Sequence, residues 1–108
     1  MSRGEGAAGR VANVTADDIE WDAQKEVANV ARRGIAFGEA AMVLLDEDLI
    51  IRVDREHGRG DRLVSVGFSR RGRLLTVVTA DPAPGKIRII SAWRATKRER
   101  YADERHSF

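Results

Sequence analysis

The 108-residue chain contains no cysteine, which excludes disulfides and thiolate metal sites and removes any need for an oxidising compartment. Histidine is nearly as scarce. His57 and His106 stand far apart with no second ligand at helical or hairpin spacing, so no metal and no cofactor is expected. There is no Gly-x-Ser-x-Gly elbow and no Gly-rich phosphate loop, which argues against nucleophilic hydrolysis and nucleotide binding of the familiar kinds. No run of about 18 apolar residues is present to span a membrane, and no apolar segment follows the basic N-terminus. The expected setting is the cytoplasm, and the length suits one domain with one core.

What the chain has in abundance is cationic charge, unevenly placed. Residues 1 to 57 hold 7 Lys/Arg against 12 Asp/Glu, and residues 58 to 108 hold 12 against 5, so a net charge of +2 conceals an acidic half and a basic half. Nearly all the cations are Arg, which grips phosphates and carboxylates bidentately and stays charged at any working pH. The basic half suits a polyanion or an acidic protein partner.

Residues 1 to 16 show neither a helical nor a strand period and read as a mobile tail. Ile19 to Asp22 is compatible with a brief strand, and Asp22 is a candidate N-cap for a helix over Ala23 to Arg33. Ala23, Val27, Val30 and Ala31 fall on one side of that helix, Lys25, Asn29, Arg32 and Arg33 on another, and Gly34 ends it. Arg32 and Arg33 also complement the helix dipole. Phe37, Ala40, Ala41, Leu44 and Leu45 predict a second, core-facing helix over Ala36 to Leu45, followed by a solvated acidic turn at 46 to 48. Strands are expected at Leu49 to Asp54, Arg62 to Ser69 and Arg73 to Ala80, with a hairpin turn at Ser69 to Gly72.

The stretch from Gly85 to Tyr101 carries the strongest pattern. Lys86 and Arg88 alternate with an apolar series, Ile87 and Ile89, that continues through Ser91 to Trp93, so Arg88 points away from Ile87 and Ile89. Thr96 to Glu99 fits a capping box and predicts a C-terminal helix to about Arg105. The fold class is α+β: two N-terminal helices, an antiparallel sheet of about four strands plus a short first strand, and a C-terminal helix.

A folded meander could converge Lys25 and Arg33 from the first helix, Arg62 and Arg73 from neighbouring strand ends, and Arg88 from the last strand. Metal-free RNA cleavage needs such equipment, because attack of a 2′-hydroxyl on the adjacent phosphate concentrates negative charge while two protons move. Guanidinium groups stabilise the charge but hold no free acceptor. Lys25, Asp61, Glu26, His57 or water would have to move the protons.

Glu20-Trp21-Asp22-Ala23-Gln24-Lys25, then Asn29 with Arg32 to Phe37, then Asp61-Arg62, Gly67, Arg73-Leu74-Leu75 and above all Ile87-Arg88-Ile89-Ile90-Ser91-Ala92, with Ala95-Thr96 and Glu99-Arg100-Tyr101, run in collinear order. Over about residues 18 to 102 this series resembles the BrnT toxins of bacterial type II toxin–antitoxin systems. The resemblance implies a RelE-like fold and a metal-free endoribonuclease that stops translation by cutting RNA. It also implies a ribbon-helix-helix antitoxin of the BrnA type, through which alone the complex would contact DNA. Its site residues would be Lys25, Arg33, Asp61, Arg62 and Arg88 for catalysis, and Arg32, Arg73, Trp93 and Arg94 for RNA binding. Three positions depart from the family pattern: Arg33 stands where His is usual, Trp93 where Arg is usual, and Asp61 where Glu is usual. The first removes the group best suited to proton transfer near neutrality. Arg94 offers a partial replacement for the missing Arg, and Trp93 suits base stacking, the core or an antitoxin contact. The rival reading is a catalytically degenerate binding module that keeps the antitoxin and cuts nothing.

Overall fold

The computed structural model describes residues 16–53 and 62–97, with the backbone alone at 52 and 53. A 3-10 turn, Ala16–Asp18, leads into β1 (Ile19–Glu20), α1 (Ala23–Arg33), α2 (Phe37–Leu44), β2 (Ile50–Val53), β3 (Arg62–Phe68), β4 (Leu74–Ala80) and β5 (Ile87–Arg94). The strands form one sheet in the order β1-β5-β4-β3-β2. β2 to β5 pair antiparallel, as the meander requires, but β1 pairs parallel with β5, Ile19 opposite Ile87 and Glu20 opposite Arg88. The sheet is therefore mixed: the four expected strands are antiparallel, and the short first strand, whose direction the sequence left open, adds a parallel edge. A two-residue strand carries no signal for its pairing direction; that is set by the helix that follows it.

α1 starts where Asp22 accepts from the amides of Gln24 and Lys25 at 2.8 and 3.0 Å, and it ends at Gly34 with φ 75°, the left-handed conformation that favours glycine. α2 lacks a cap of its own, since Ala36 offers no side-chain acceptor. Glu26 supplies it from α1, its Oε2 accepting from Phe37 N at 2.7 Å and Gly38 N at 3.3 Å. Trp21 Nε1 donates to the other carboxylate oxygen at 3.2 Å, and its ring meets Phe37 edge-on at 6.4 Å. Glu26 is thus a tie between the segment that follows β1, α1 and α2.

The core lies between α2 and one face of the sheet. Phe37, Ala40, Ala41, Val43 and Leu44 pack with Ile35 on Ile19, Leu75, Val77, Ile87, Ile89 and Ala92. α2 approaches β3 closely at Gly67, where a Cβ would stand 3.1 Å from Val43 Cγ1 and 3.2 Å from Leu49 Cβ, so the absent side chain sets the helix–strand distance.

α1 is placed differently. β1 stops after two residues, leaving the rest of β5 an edge, and α1 lies along that edge. Asn29, the buried residue of α1, donates from Nδ2 to the carbonyls of Ala92 (2.9 Å) and Ile35 (2.8 Å), while its Oδ1 accepts from Ala92 N at 3.2 Å. Its side-chain amide thus takes the place of a neighbouring strand and closes the edge.

Regular alternation along β5 is broken by one extra residue. Ser91 pairs with Val78 and Ile89 with Thr79, so Ile90 bulges between them. Ile87, Ile89 and Ala92 face α2, whereas Arg88, Ser91 and Trp93 share the opposite face. The expected continuation of the Ile87/Ile89 face through Ser91 to Trp93 is therefore corrected: the bulge reverses the phase. The C-terminal helix predicted from Thr96 and the N-terminal tail fall, beyond Lys97 and before Ala16, outside the described residues.

Candidate nucleic-acid interface

The sheet face turned away from α2 carries the cations in a defined order. Arg62 pairs with Ala80, Ala80 with Arg88 and Arg88 with Glu20, so these four residues form one row across β3, β4, β5 and β1, on one face of the sheet. Two strand spacings separate the backbones of Arg62 and Arg88, roughly 10 Å, with a methyl group between them. Arg62 is half-buried and Arg88 exposed. Glu20 Oε2 accepts from Arg88 Nε at 2.9 Å and Nη2 at 2.6 Å, which orients the guanidinium along the row.

Two rows further along, Trp93 stands opposite Thr76 on the same face, roughly 13 Å from the first row in strand length. α1, running beside the β5 edge, brings Arg33 to it: the guanidinium carbon lies 4.9 Å from the Trp93 ring centroid, a cation–π contact. Arg33 and Trp93, two of the three positions at which the sequence departs from the pattern it resembles, therefore meet. Thr76 and Val66, in the Trp93 row, and Val78 and Val64, in the row between it and the first, are buried.

The remaining candidates are dispersed. Lys25 and Arg32 are exposed on α1, on the same side of that helix. Arg94, exposed at the end of β5, pairs with Leu75 and so starts from the face opposite Arg88 and Trp93. Asp61 and His57 lie outside the described residues. Both carboxylate oxygens of Glu26 are occupied by the contacts that cap α2.

Arg73 has a different environment from Arg88. Its Nε and Nη2 hold the two oxygens of Glu39 at 2.9 and 2.5 Å, Ser69 Oγ donates to the same carboxylate at 2.7 Å, and Arg71 approaches it at 3.8 Å. The Glu39 side chain is 8% exposed. The Arg73 hydrogen bond lowers the Glu39 pKa against the opposing effect of burial, and the same bond raises that of Arg73. This cluster ties α2 to the β3–β4 turn.

Sequence reasoning missed Glu20 and Asn29 as organisers of this region. Glu20 is the acidic member of a short alternation whose partner lies 68 residues away, and Asn29, grouped with basic neighbours on its helix, carries no local sign of the contacts it makes with Ile35 and Ala92. Among the described residues no cluster of three or more His, Cys, Asp or Glu is arranged to hold a metal ion. No helix among them is long and apolar enough to cross a membrane.

The family model described as ribonuclease toxin, BrnT, of type II toxin–antitoxin system matches residues 21–99. The crystal structure of the Brucella abortus ribonuclease toxin BrnT is similar in fold, with a TM-score of 0.59 at 21% sequence identity, covering 73% of this chain and 96% of that one. No curated protein sequence matches the chain significantly. The match of motif order, β-sheet architecture and family model over most of its length places the chain in the BrnT family of ribonuclease toxins of type II toxin–antitoxin systems.

Proposed function

We propose that the chain is a cytoplasmic, metal-independent endoribonuclease that inhibits translation by cutting RNA and is held inactive by a ribbon-helix-helix antitoxin, with the RelE-like chemistry its family resemblance implies. The observation that carries this reading is the Arg62–Ala80–Arg88 row on one sheet face. A phosphate above Ala80 is within reach of both guanidinium groups, and the small side chain between them leaves the space.

In the reaction, the 2′-oxygen bonds to the adjacent phosphorus, the bond to the 5′-oxygen breaks, one proton leaves the 2′-hydroxyl and another reaches the departing oxygen. Arg62 and Arg88 stabilise the charge that builds on the phosphoryl oxygens. Glu20 holds Arg88 in place. Asp61 orients Arg62 or accepts a proton, and water completes the transfers. Lys25, Arg32 and Arg33 bind phosphates from α1, Trp93 stacks on a base with Arg33 behind it, and Arg94 adds charge at the strand end. Arg73, committed to Glu39, contributes charge from a distance.

The test is cleavage of RNA by the purified full-length chain with and without EDTA. Products ending in a cyclic phosphate, unaffected by EDTA, are expected. Intact RNA from folded protein would remove the enzymatic reading and leave a binding module that retains its antitoxin.

A further inference from the structure

α1 is packed inside out. Its buried residue is a polar one, Asn29, while Val27 is 70% exposed and Val30 44%. Ala23, Gln24, Ala28 and Ala31 are exposed as well. At 3.6 residues per turn these six side chains fill a continuous arc of about 160°, centred opposite Asn29. None of them is charged. All four charged residues of α1 lie outside the arc: Lys25 and Arg32 border it on one side, and on the other lie Glu26, engaged with Trp21 and the start of α2, and Arg33, engaged with Trp93. An uncharged strip, apolar except for Gln24 and turned to solvent in a chain one-third charged, marks an interaction surface.

The size of the strip narrows its occupant. Eleven helical residues span about 16 Å, three turns. One such strip falls well short of the roughly 800 Å² a side that a stable specific interface buries, so two copies of it facing each other would not hold a dimer. It needs a partner that brings further contacts, and a toxin of a type II toxin–antitoxin system is made together with such a protein. The flanking charge sets the chemistry: an apolar seam to cover Val27 and Val30, and carboxylates on the side that meets Lys25 and Arg32.

We propose that the solvent-facing side of α1 docks the antitoxin through an amphipathic helix of about three turns with an acidic flank. This rests on the toxin reading given above and adds the place and the means of neutralisation. Lys25 and Arg32, the phosphate ligands on α1 in that reading, are the cations the acidic flank engages, so the docked antitoxin and RNA compete for the same side chains.

The experiment uses the full chain co-expressed with its antitoxin, and measures complex affinity. Val27→Glu with Val30→Glu weakens the complex by roughly 30-fold or more, the loss of a central apolar anchor, and leaves melting temperature and RNA cleavage unchanged. Phe68→Ser, exposed at the distant hairpin, leaves affinity unchanged. Because the chain has no cysteine, V27C introduces a single thiol; its labelling slows on adding antitoxin, whereas that of F68C does not. This second readout stands even if the double variant folds poorly. A complex that forms equally well with the double variant, with V27C labelling unprotected, overturns the docking site while sparing the toxin reading. Failure of the unaltered chain to bind the antitoxin overturns both. A dimer of the isolated chain that the double variant makes monomeric assigns the face to a second copy and overturns the proposal.

Discussion

The molecule contains two Arg–Glu pairs built from the same atoms, in which both Nε and Nη2 of the arginine engage one carboxylate, and they differ in where they sit. Arg73–Glu39 joins α2 to the β3–β4 turn, with the carboxylate 8% and the arginine 26% exposed and Ser69 closing the remaining acceptor. Arg88–Glu20 joins two neighbouring strands at the open end of the sheet, with the arginine 53% and the glutamate 38% exposed. The first pair has exchanged water for protein on most sides, so removing either partner strands the other. The second keeps free donor N–H groups toward solvent and a screened attraction that a phosphate can outcompete. Both arginines belong to the series that carries the sequence resemblance; burial of the partner separates the one committed to the fold from the one left open to solvent.

Substitutions that exchange the two behaviours would break this contrast. The largest effect is expected from Arg88→Ala, which lowers RNA cleavage by roughly 10²- to 10³-fold, as for loss of one transition-state donor, with a melting temperature within a few degrees of the parent. A cleavage rate within threefold of the parent would remove Arg88 from the site. Glu39→Ala acts the other way. It lowers the melting temperature by roughly 10 °C, since it removes charge-assisted bonds from Arg73 and Ser69, and the protein that remains folded cleaves normally.

The pH dependence of stability sharpens the same contrast. The Glu39 pKa is depressed in the fold below the ordinary carboxylate value near 4.5, so its contribution is complete above that value and is lost as pH falls through the lower, folded one. Glu39→Gln, which cannot titrate, flattens that part of the acid-unfolding curve; a profile parallel to the parent's would show the pair to be unimportant. The smallest effect is that of Glu20→Gln: a stability change under about 1 kcal/mol, expected of an exposed pair, and a loss of cleavage of roughly 10-fold as Arg88 loses its orientation. An increase in cleavage would mean that Glu20 restrains Arg88 rather than aims it.

Local signals were legible in the sequence and long-range ones were not. The Asp22 cap, the Gly34 stop, the second helix and the meander strands all appear within a residue or two of where spacing and turn chemistry put them, because each is decided by neighbours a few positions away. The orientation of α1 was not legible. Patterning separates a side with Val27 and Val30 from one with Asn29 and the cations without saying which meets the sheet; the main-chain groups of Ala92, left bare when β1 stops, take Asn29, and a contact across 63 residues leaves no mark on helical spacing. The candidate site divides in the same way. That Arg88 points away from Ile87 and Ile89 followed from alternation, whereas its row with Arg62 depended on registers that only the folded sheet defines.

The extra residue at Ile90 has a consequence for how this protein can change. In an uninterrupted strand, positions 88 and 93 face opposite sides; the one-residue insertion brings both to the same side. Substitutions in β5 alter one side chain at a time, but deleting Ile90 would rotate the whole segment from Ser91 onward by half a turn. Trp93 would be sent toward the crowded helix side and Ala92 outward, while Arg88 and the strand before it stayed as they are. The shortest route by which this lineage could uncouple the two ends of its basic face is thus a three-nucleotide indel, a kind of variation that scanning mutagenesis never samples.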